Sequence, residues 1–387
     1  MPLLSLTATT APATHRVAGA LLARRCQGST ARPFSFTVPS ARLSGASVTQ
    51  ATPIFGGSAF QGTALKVPCA SSALTGGRAR VASVLAMSSD VPSLVSPAWL
   101  KDNLAGGGIQ VLDGTWYMPN AGKDPLAEFQ GERIPGSAFF SSDVIADTSS
   151  GLPHMLPSAE MFAAAVSAMG ITNDTHVVVY DRHGVFSAPR VWWTFRTMGH
   201  SKVSVLEGGL PAWKAAGGDI ETSEVEEADK VNLGITPALS SPGSPTFSAS
   251  KDGSKVRDLK QMWENVDAST DQVVDARSSG RFYGTAPEPR AGMRGGHIPG
   301  SKSVPFDTVL TEGKAGLKSP EIIRSIFEEA GLQLDGGKPI VASCGSGMTA
   351  CVLALALDQI GQPLTAVYDG SWTEWGNNQE VPVVTED

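Results

Sequence analysis

Cysteine is scarce in this chain: four occur in 387 residues, at 26, 69, 344 and 351. Only Cys344 and Cys351 lie in the body of the protein, and two thiols seven positions apart give neither a disulfide framework nor a zinc site. That usage fits a reducing, intracellular setting. Long apolar runs are missing too. None reaches the roughly 20 residues of a membrane-spanning helix, so a soluble protein with no membrane partner is expected. Acid is absent from the first 89 residues, and Asp90 is the first carboxylate. The same stretch carries eight of the 30 Lys and Arg and is rich in Ser, Ala, Thr and Gly. This composition predicts an organelle transit peptide over residues 1–87, removed near Ala79–Met87. Its length and Ser/Thr content point to the chloroplast; Arg24-Arg25 keeps the mitochondrion as the alternative. The remaining 22 basic residues face all 37 acidic ones, a net charge of −15. A body this acidic excludes nucleic acid as a natural partner.

What is present centres on Lys338-Pro-Ile-Val-Ala-Ser-Cys-Gly-Ser-Gly-Met-Thr-Ala350. Ile340 to Ser343 predict a short buried strand, and Met348 to Ile360 an apolar helix. Cys344 lies between them, in a loop where Gly345 and Gly347 permit unusual backbone angles. Successive N–H groups in such a loop converge into an anion nest, and the helix dipole adds positive potential. Both favour a thiolate, the nucleophilic form of cysteine. Cys351, on the apolar helix, is expected in the core.

Strands and helices alternate along the body. The pattern predicts helices over 97–104, 158–169, 189–198 and around Trp213. Strands are predicted over 109–113, 175–181 and 203–206, with a turn into another strand at 134–140. Alternation of this kind argues for a mostly parallel sheet flanked by helices. Residues 221–250, acidic and then rich in Ser and Pro, read as an exposed linker. Beyond it the order recurs. Val111-Leu-Asp113 matches Val273-Val-Asp275, and Arg133-Ile-Pro-Gly-Ser matches His297-Ile-Pro-Gly-Ser. His176 to Asp181 matches Pro339 to Cys344, and Val205-Leu-Glu-Gly-Gly matches Val367-Tyr-Asp-Gly-Ser. Asp113 to Asp181 is 68 residues and Asp275 to Cys344 is 69, so the body is a duplication. The expected domains are 88–220, non-catalytic, and 251–387, catalytic, because only the second half places a cysteine at the loop.

These motifs, from about Val91 to the C-terminus, resemble the tandem-domain rhodanese superfamily. The loop Cys344-Gly-Ser-Gly-Met-Thr-Ala is similar to its mercaptopyruvate sulfurtransferase form, as are the stretches 280–290, 186–193 and 152–157. The thiosulfate-preferring form usually carries basic residues in this loop, and here there are none. The resemblance implies two α/β domains, each a central mostly parallel sheet flanked by helices, with the active site in the cleft between them. It implies sulfur transfer from 3-mercaptopyruvate through a Cys344 persulfide to a thiol acceptor such as thioredoxin, or to cyanide, with release of pyruvate. Covalent ping-pong chemistry of this kind needs no metal and no organic cofactor. Arg281 and Arg290 are the candidate cations for the donor's carboxylate. The N–H groups from Gly345 through Ser346, Gly347 and Met348 to Thr349 are candidates to hold the anionic persulfide. Ser346 is a candidate catalytic hydroxyl. The resemblance also implies a proton relay through Asp113 with a histidine. The residue before the first Ile-Pro-Gly is Arg133, where related enzymes often have His, which leaves His154 and His183 as the cleft histidines.

Two other classes share parts of this pattern. Cysteine phosphatases use the same strand–loop–helix cradle but commonly need Arg six residues after the cysteine; that position is Ala350. A non-enzymatic sulfur carrier would keep Cys344 but has no use for Arg281 and Arg290.

Overall fold

The computed structural model describes residues 91–225, 230, 246–362 and 365–386. The expected transit peptide and most of the linker lie outside them. The described residues fall within one compact unit that holds two α/β layers of matching design.

The first half runs β1 (Leu94–Val95), α1 (Pro97–Asn103), β2 (Ile109–Asp113), α2 (Pro125–Gly131) and β3 (Ala138–Phe139). It continues with α3 (Ala159–Ala168), β4 (His176–Tyr180), α4 (Ala188–Thr197), β5 (Val203–Leu206) and α5 (Gly209–Ala215). The second half runs β6 (Val256–Arg257), α6 (Leu259–Ala268), β7 (Gln272–Asp275), α7 (Ser279–Phe282) and β8 (Lys302–Ser303). After these come α8 (Pro320–Glu329), β9 (Ile340–Ser343), α9 (Ala350–Gln359), β10 (Thr365–Tyr368) and α10 (Ser371–Trp375).

Helix starts follow the capping rules. Ser96 Oγ accepts from Trp99 N with Pro97 just inside, Ser158 Oγ accepts from Met161 N, and Asp258 with Gln261 forms a full capping box. The two sheets are parallel throughout and have the same strand order, β1-β5-β4-β2-β3 and β6-β10-β9-β7-β8. The duplication read from spacing is therefore a duplication of topology. β4 and β9 are the central strands, buried on both faces over Val177–Tyr180 and Ile340–Ser343. Their C-terminal ends carry Asp181 and Cys344, where open parallel sheets place their ligands. The helices that leave those two loops, α4 and α9, pack against each other.

The described ends of the 221–250 stretch are fastened to the first half. Arg133 pairs with Glu221 in an isolated bridge and an ion pair. Phe247 is 2% exposed, packed edge-on against Phe162 and His200, and its N–H donates to Ser167 Oγ. Burying one phenylalanine contributes roughly 1.5–3 kcal/mol, enough to pin the Phe247 end to the first half.

Candidate active site

β9 delivers Cys344 to the middle of the second sheet's C-terminal edge, 1% exposed. The Cys344 N–H donates to Ser371 Oγ and its carbonyl accepts from Trp372 N, so the cysteine's backbone is held from both sides. The loop then turns through Gly347 at φ +75°. Glycine is required there twice over. A side chain would be strained at that φ, and its Cβ would lie 2.7 Å from Arg190 Nη1 and 2.9 Å from the Asp369 carbonyl. Gly345 has a different reason: a Cβ there would come within 3.1 Å of Arg281 Nη2. Among the described residues, none accepts a hydrogen bond from the N–H groups of Gly345 to Thr349. The N-terminus of α9 likewise has no side-chain cap.

The first half shows what such a loop holds. At the position of Cys344 stands Asp181, 0% exposed. Its carboxylate accepts from the N–H groups of His183 (2.9 Å), Phe186 (2.8 Å), Ser187 (2.8 Å) and Ala188 (2.9 Å). Ala188 and Ala350 open the equivalent helices α4 and α9, so Phe186 and Ser187 correspond to Met348 and Thr349. In the first half this loop cradles a carboxylate; in the second, one residue shorter between the Asp181/Cys344 position and the helix, it follows the cysteine.

Around Cys344 lies a cavity of about 310 Å³. Trp116, Met118 and Phe186 of the first half close one side, and Arg281, Arg290, Ser346, Met348 and Thr349 of the second half line the other. The Ser346 hydroxyl makes no hydrogen bond to a described residue, and Met348 is buried at 2% exposure. The two arginines differ. Arg281 is committed to Glu288 through Nε (3.1 Å) and Nη2 (2.5 Å), and Glu288 also takes Arg277 at 2.8 Å. Arg290 makes no hydrogen bond or ion pair with any described residue. Burial lowers its pKa from the usual guanidinium value, opposed by the charges of Cys344, Glu288 and Asp143. A neighbouring cavity of about 690 Å³ shares Trp116, Met118 and Arg290 and adds His154 and Asp143. His154 Nδ1 stands 3.0 Å from Asp143 Oδ1, off hydrogen-bond alignment, and neither ring nitrogen is otherwise satisfied. The ring packs edge-on to Trp116 at 4.8 Å.

The Rhodanese-like domain family matches this chain twice, over residues 96–216 and 258–378. This chain belongs to the rhodanese-like family. A mitochondrial thiosulfate/3-mercaptopyruvate sulfurtransferase of Arabidopsis thaliana is 45% identical over 302 residues, 75% of this chain and 77% of that one. A Homo sapiens 3-mercaptopyruvate sulfurtransferase is 43% identical over 290 residues, 73% of this chain and 91% of that one. Among solved structures, SseA of Escherichia coli, described as a 3-mercaptopyruvate sulfotransferase, superposes with a TM-score of 0.61 at 34% identity, covering 73% of this chain and 99% of its own.

In this rhodanese-like protein the structure assembles Cys344, Gly345, Ser346, Met348, Thr349, Arg281 and Arg290 at one cavity, with Gly347 forming the bend behind it. Asp113, expected in a proton relay, does not line this cavity. The side chain is 0% exposed and turns back to Thr115, whose N–H (2.9 Å) and hydroxyl both donate to Oδ1. Arg182 Nε lies 3.6 Å from Oδ2. The next residues carry the chain outward, so Trp116 lines the cavity instead. The carboxylate–imidazole pair beside the cavity is Asp143 with His154. His183 bonds the Trp116 carbonyl at 3.0 Å, and Arg133 and His297 are buried structural residues.

Asp113 has a different consequence. Burial pushes its pKa from 3.8 up to about 6, against the Thr115 bonds and Arg182. The folded protein therefore holds a proton that the unfolded chain releases between the two values. This group's contribution is fully present below the lower value and is lost as pH rises through the upper one, a change of about 3 kcal/mol. In Asp113→Asn, denaturant unfolding should show stability relative to the parent rising with pH across that window. A difference that is flat with pH would contradict the assignment.

Arg190 lies in the 186–193 stretch, where nothing in the sequence signals a role for it. Arg190 is 2% exposed on α4 of the first half and reaches the Cys344 loop of the second.

Proposed function

We propose that this protein takes sulfur from 3-mercaptopyruvate onto Cys344 as a persulfide, releases pyruvate, and passes the sulfur to a thiol. The relatives support an enzyme, a sulfurtransferase of the 3-mercaptopyruvate/thiosulfate kind. The observation that carries the finer reading is a cysteine at a cradle of free N–H groups beside one unpaired arginine. The Cys344 thiolate attacks the donor sulfur. The donor's C–S bond breaks, and its electron pair leaves on carbon as the enolate of pyruvate. A proton then reaches that carbon; His154, next to Asp143 and to the shared Arg290, is the group placed to move it. The persulfide anion sits where Asp181 holds its carboxylate in the first half. An acceptor thiolate attacks the outer sulfur, and the S–S electron pair returns to Cys344. Thioredoxin is the proposed physiological acceptor.

Among the described residues, Arg277, Arg281 and Arg290 are the Lys or Arg side chains that line the Cys344 cavity, and a planar fork suits a carboxylate. The measurement is pyruvate release from 3-mercaptopyruvate against thiosulfate consumption, each with dithiothreitol or thioredoxin. Higher kcat/KM for 3-mercaptopyruvate is expected. A preference for thiosulfate would overturn the donor assignment and leave sulfur transfer standing.

We place the protein in an organelle. The Arabidopsis relative is named mitochondrial, which favours the mitochondrion over the chloroplast expected from composition. Among the described residues no helix is long and apolar enough to cross a membrane. Mass spectrometry of the protein from each purified organelle tests the location; recovery from neither would refute it.

A further inference from the structure

One guanidinium joins the two halves of the site. Arg190, from α4 of the non-catalytic half, lies over the Trp193 ring at 4.6 Å and makes three polar contacts. Nη1 donates to the Gly347 carbonyl at 3.2 Å. Nη2 donates to Asp369 Oδ1 at 2.7 Å and to the His154 carbonyl. Asp369 in turn accepts from Leu156 N through Oδ2 at 2.8 Å. The guanidinium and its carboxylate thus grip the catalytic loop on one side and residues 154–156 on the other.

The geometry points to Arg190, with Asp369, as the positioning residue that holds the Cys344 cradle and His154 in one register. This rests on the sulfur-transfer reading above. The argument has two parts. A trans peptide directs its C=O and N–H to opposite sides. Pinning the Gly347 carbonyl on Arg190 therefore aims the Met348 N–H away from it. The first-half counterpart of that N–H, on Phe186, points at the Asp181 carboxylate, which occupies the cysteine's place. The second part concerns His154, a non-glycine residue at φ +62°. That conformation persists only when neighbours over-determine it, and the Arg190 bond to its carbonyl supplies such a restraint. Arg190 touches neither donor nor sulfur, as it is absent from the lining of the Cys344 cavity.

Lysine offers a point charge and lacks the planar fork, so Arg190→Lys keeps the ion pair with Asp369 but drops a carbonyl contact. Misplacement of reacting groups by about an ångström costs on the order of 100-fold in rate. Arg190→Lys is therefore expected to lower kcat for pyruvate release about 100-fold with KM within about threefold, since Arg290 still binds the donor. The pH profile of Cys344 alkylation by iodoacetamide should move to higher pH, because the Met348 N–H no longer faces the sulfur. Asp369→Asn is the second variant, nearly isosteric, should Arg190→Lys fold poorly. It should lower kcat for pyruvate release in the same way, with KM again within about threefold. Thermal melting of each variant reports folding. A folded variant with the parent's alkylation profile and kcat would overturn the proposal, as would a loss of activity that only tracks the folded fraction. If the parent itself releases no pyruvate, the function fails rather than the strut, and the alkylation profile still reads the strut.

Discussion

Cys344→Ser releases no pyruvate from 3-mercaptopyruvate above about a thousandth of the parent rate. The expectation follows from what the loop can do without its thiolate. The N–H groups and Arg290 would still bind an anionic donor, so KM-level binding survives, but no atom remains to take the sulfur. A serine hydroxyl is nearly the same shape and stays neutral, so the variant should melt close to the parent. Intact-mass analysis after incubation with donor should show one added sulfur on the parent and none on the variant. The control is Cys351→Ala. Cys351 is 0% exposed on α9, its thiol donates to the Gly347 carbonyl at 3.2 Å, and burial pushes its pKa far above the ordinary thiol range. Such a thiol stays protonated and unreactive, and its loss should leave turnover within a few-fold. Retained turnover in Cys344→Ser, or a sulfur adduct on Cys351, would sink the assignment of the nucleophile.

Arg290→Gln lowers kcat/KM for 3-mercaptopyruvate by about 10- to 100-fold, the worth of a charge-assisted bond of roughly 1.5–3 kcal/mol to the donor's carboxylate. Folding should not suffer, because Arg290 makes no bond to a described residue, and glutamine relieves the cost of half-burying a charge. The contrast with Arg281 makes the test sharp. Arg281 already spends its fork on Glu288, which it shares with Arg277. Arg281→Gln therefore disturbs a built ion-pair network, and part of its effect should appear as lost stability rather than lost donor affinity. Measuring kcat/KM and the melting temperature for both variants separates the roles. An Arg290→Gln enzyme with the parent's kcat/KM would remove Arg290 from the donor site.

Much of this was legible before any coordinates. The apolar run His176 to Tyr180 and the short run Ile340 to Ser343 have only one comfortable home, a strand buried on both faces. The matched spacings made the second strand order a copy of the first. Cys344 stood out because glycines and an apolar helix follow it. The errors have physical causes. The relay through Asp113 came from the resemblance, yet Asp275 ends the equivalent strand of the other half and is locked to Arg277 at 2.7 Å. An acid at the same point in both halves fits a structural part, and the internal repeat carries that signal. Asp143 and His154 had no such signal. They lie 11 residues apart in irregular chain. Only the folded path, with a left-handed histidine, brings them together. Arg190 sat in an apolar helix and gave no hint that its guanidinium crosses to the other half.

The carboxylate of Asp181 has one more consequence. Two of the N–H groups it accepts, from Ser187 and Ala188, are otherwise unsatisfied donors at the start of α4. Asp181 is a built-in cap placed at the positive end of that helix. Arg190 is its third residue. With Asp181 at the loop, the first half fixes the root of a side chain that bonds the Gly347 carbonyl of the other half's loop.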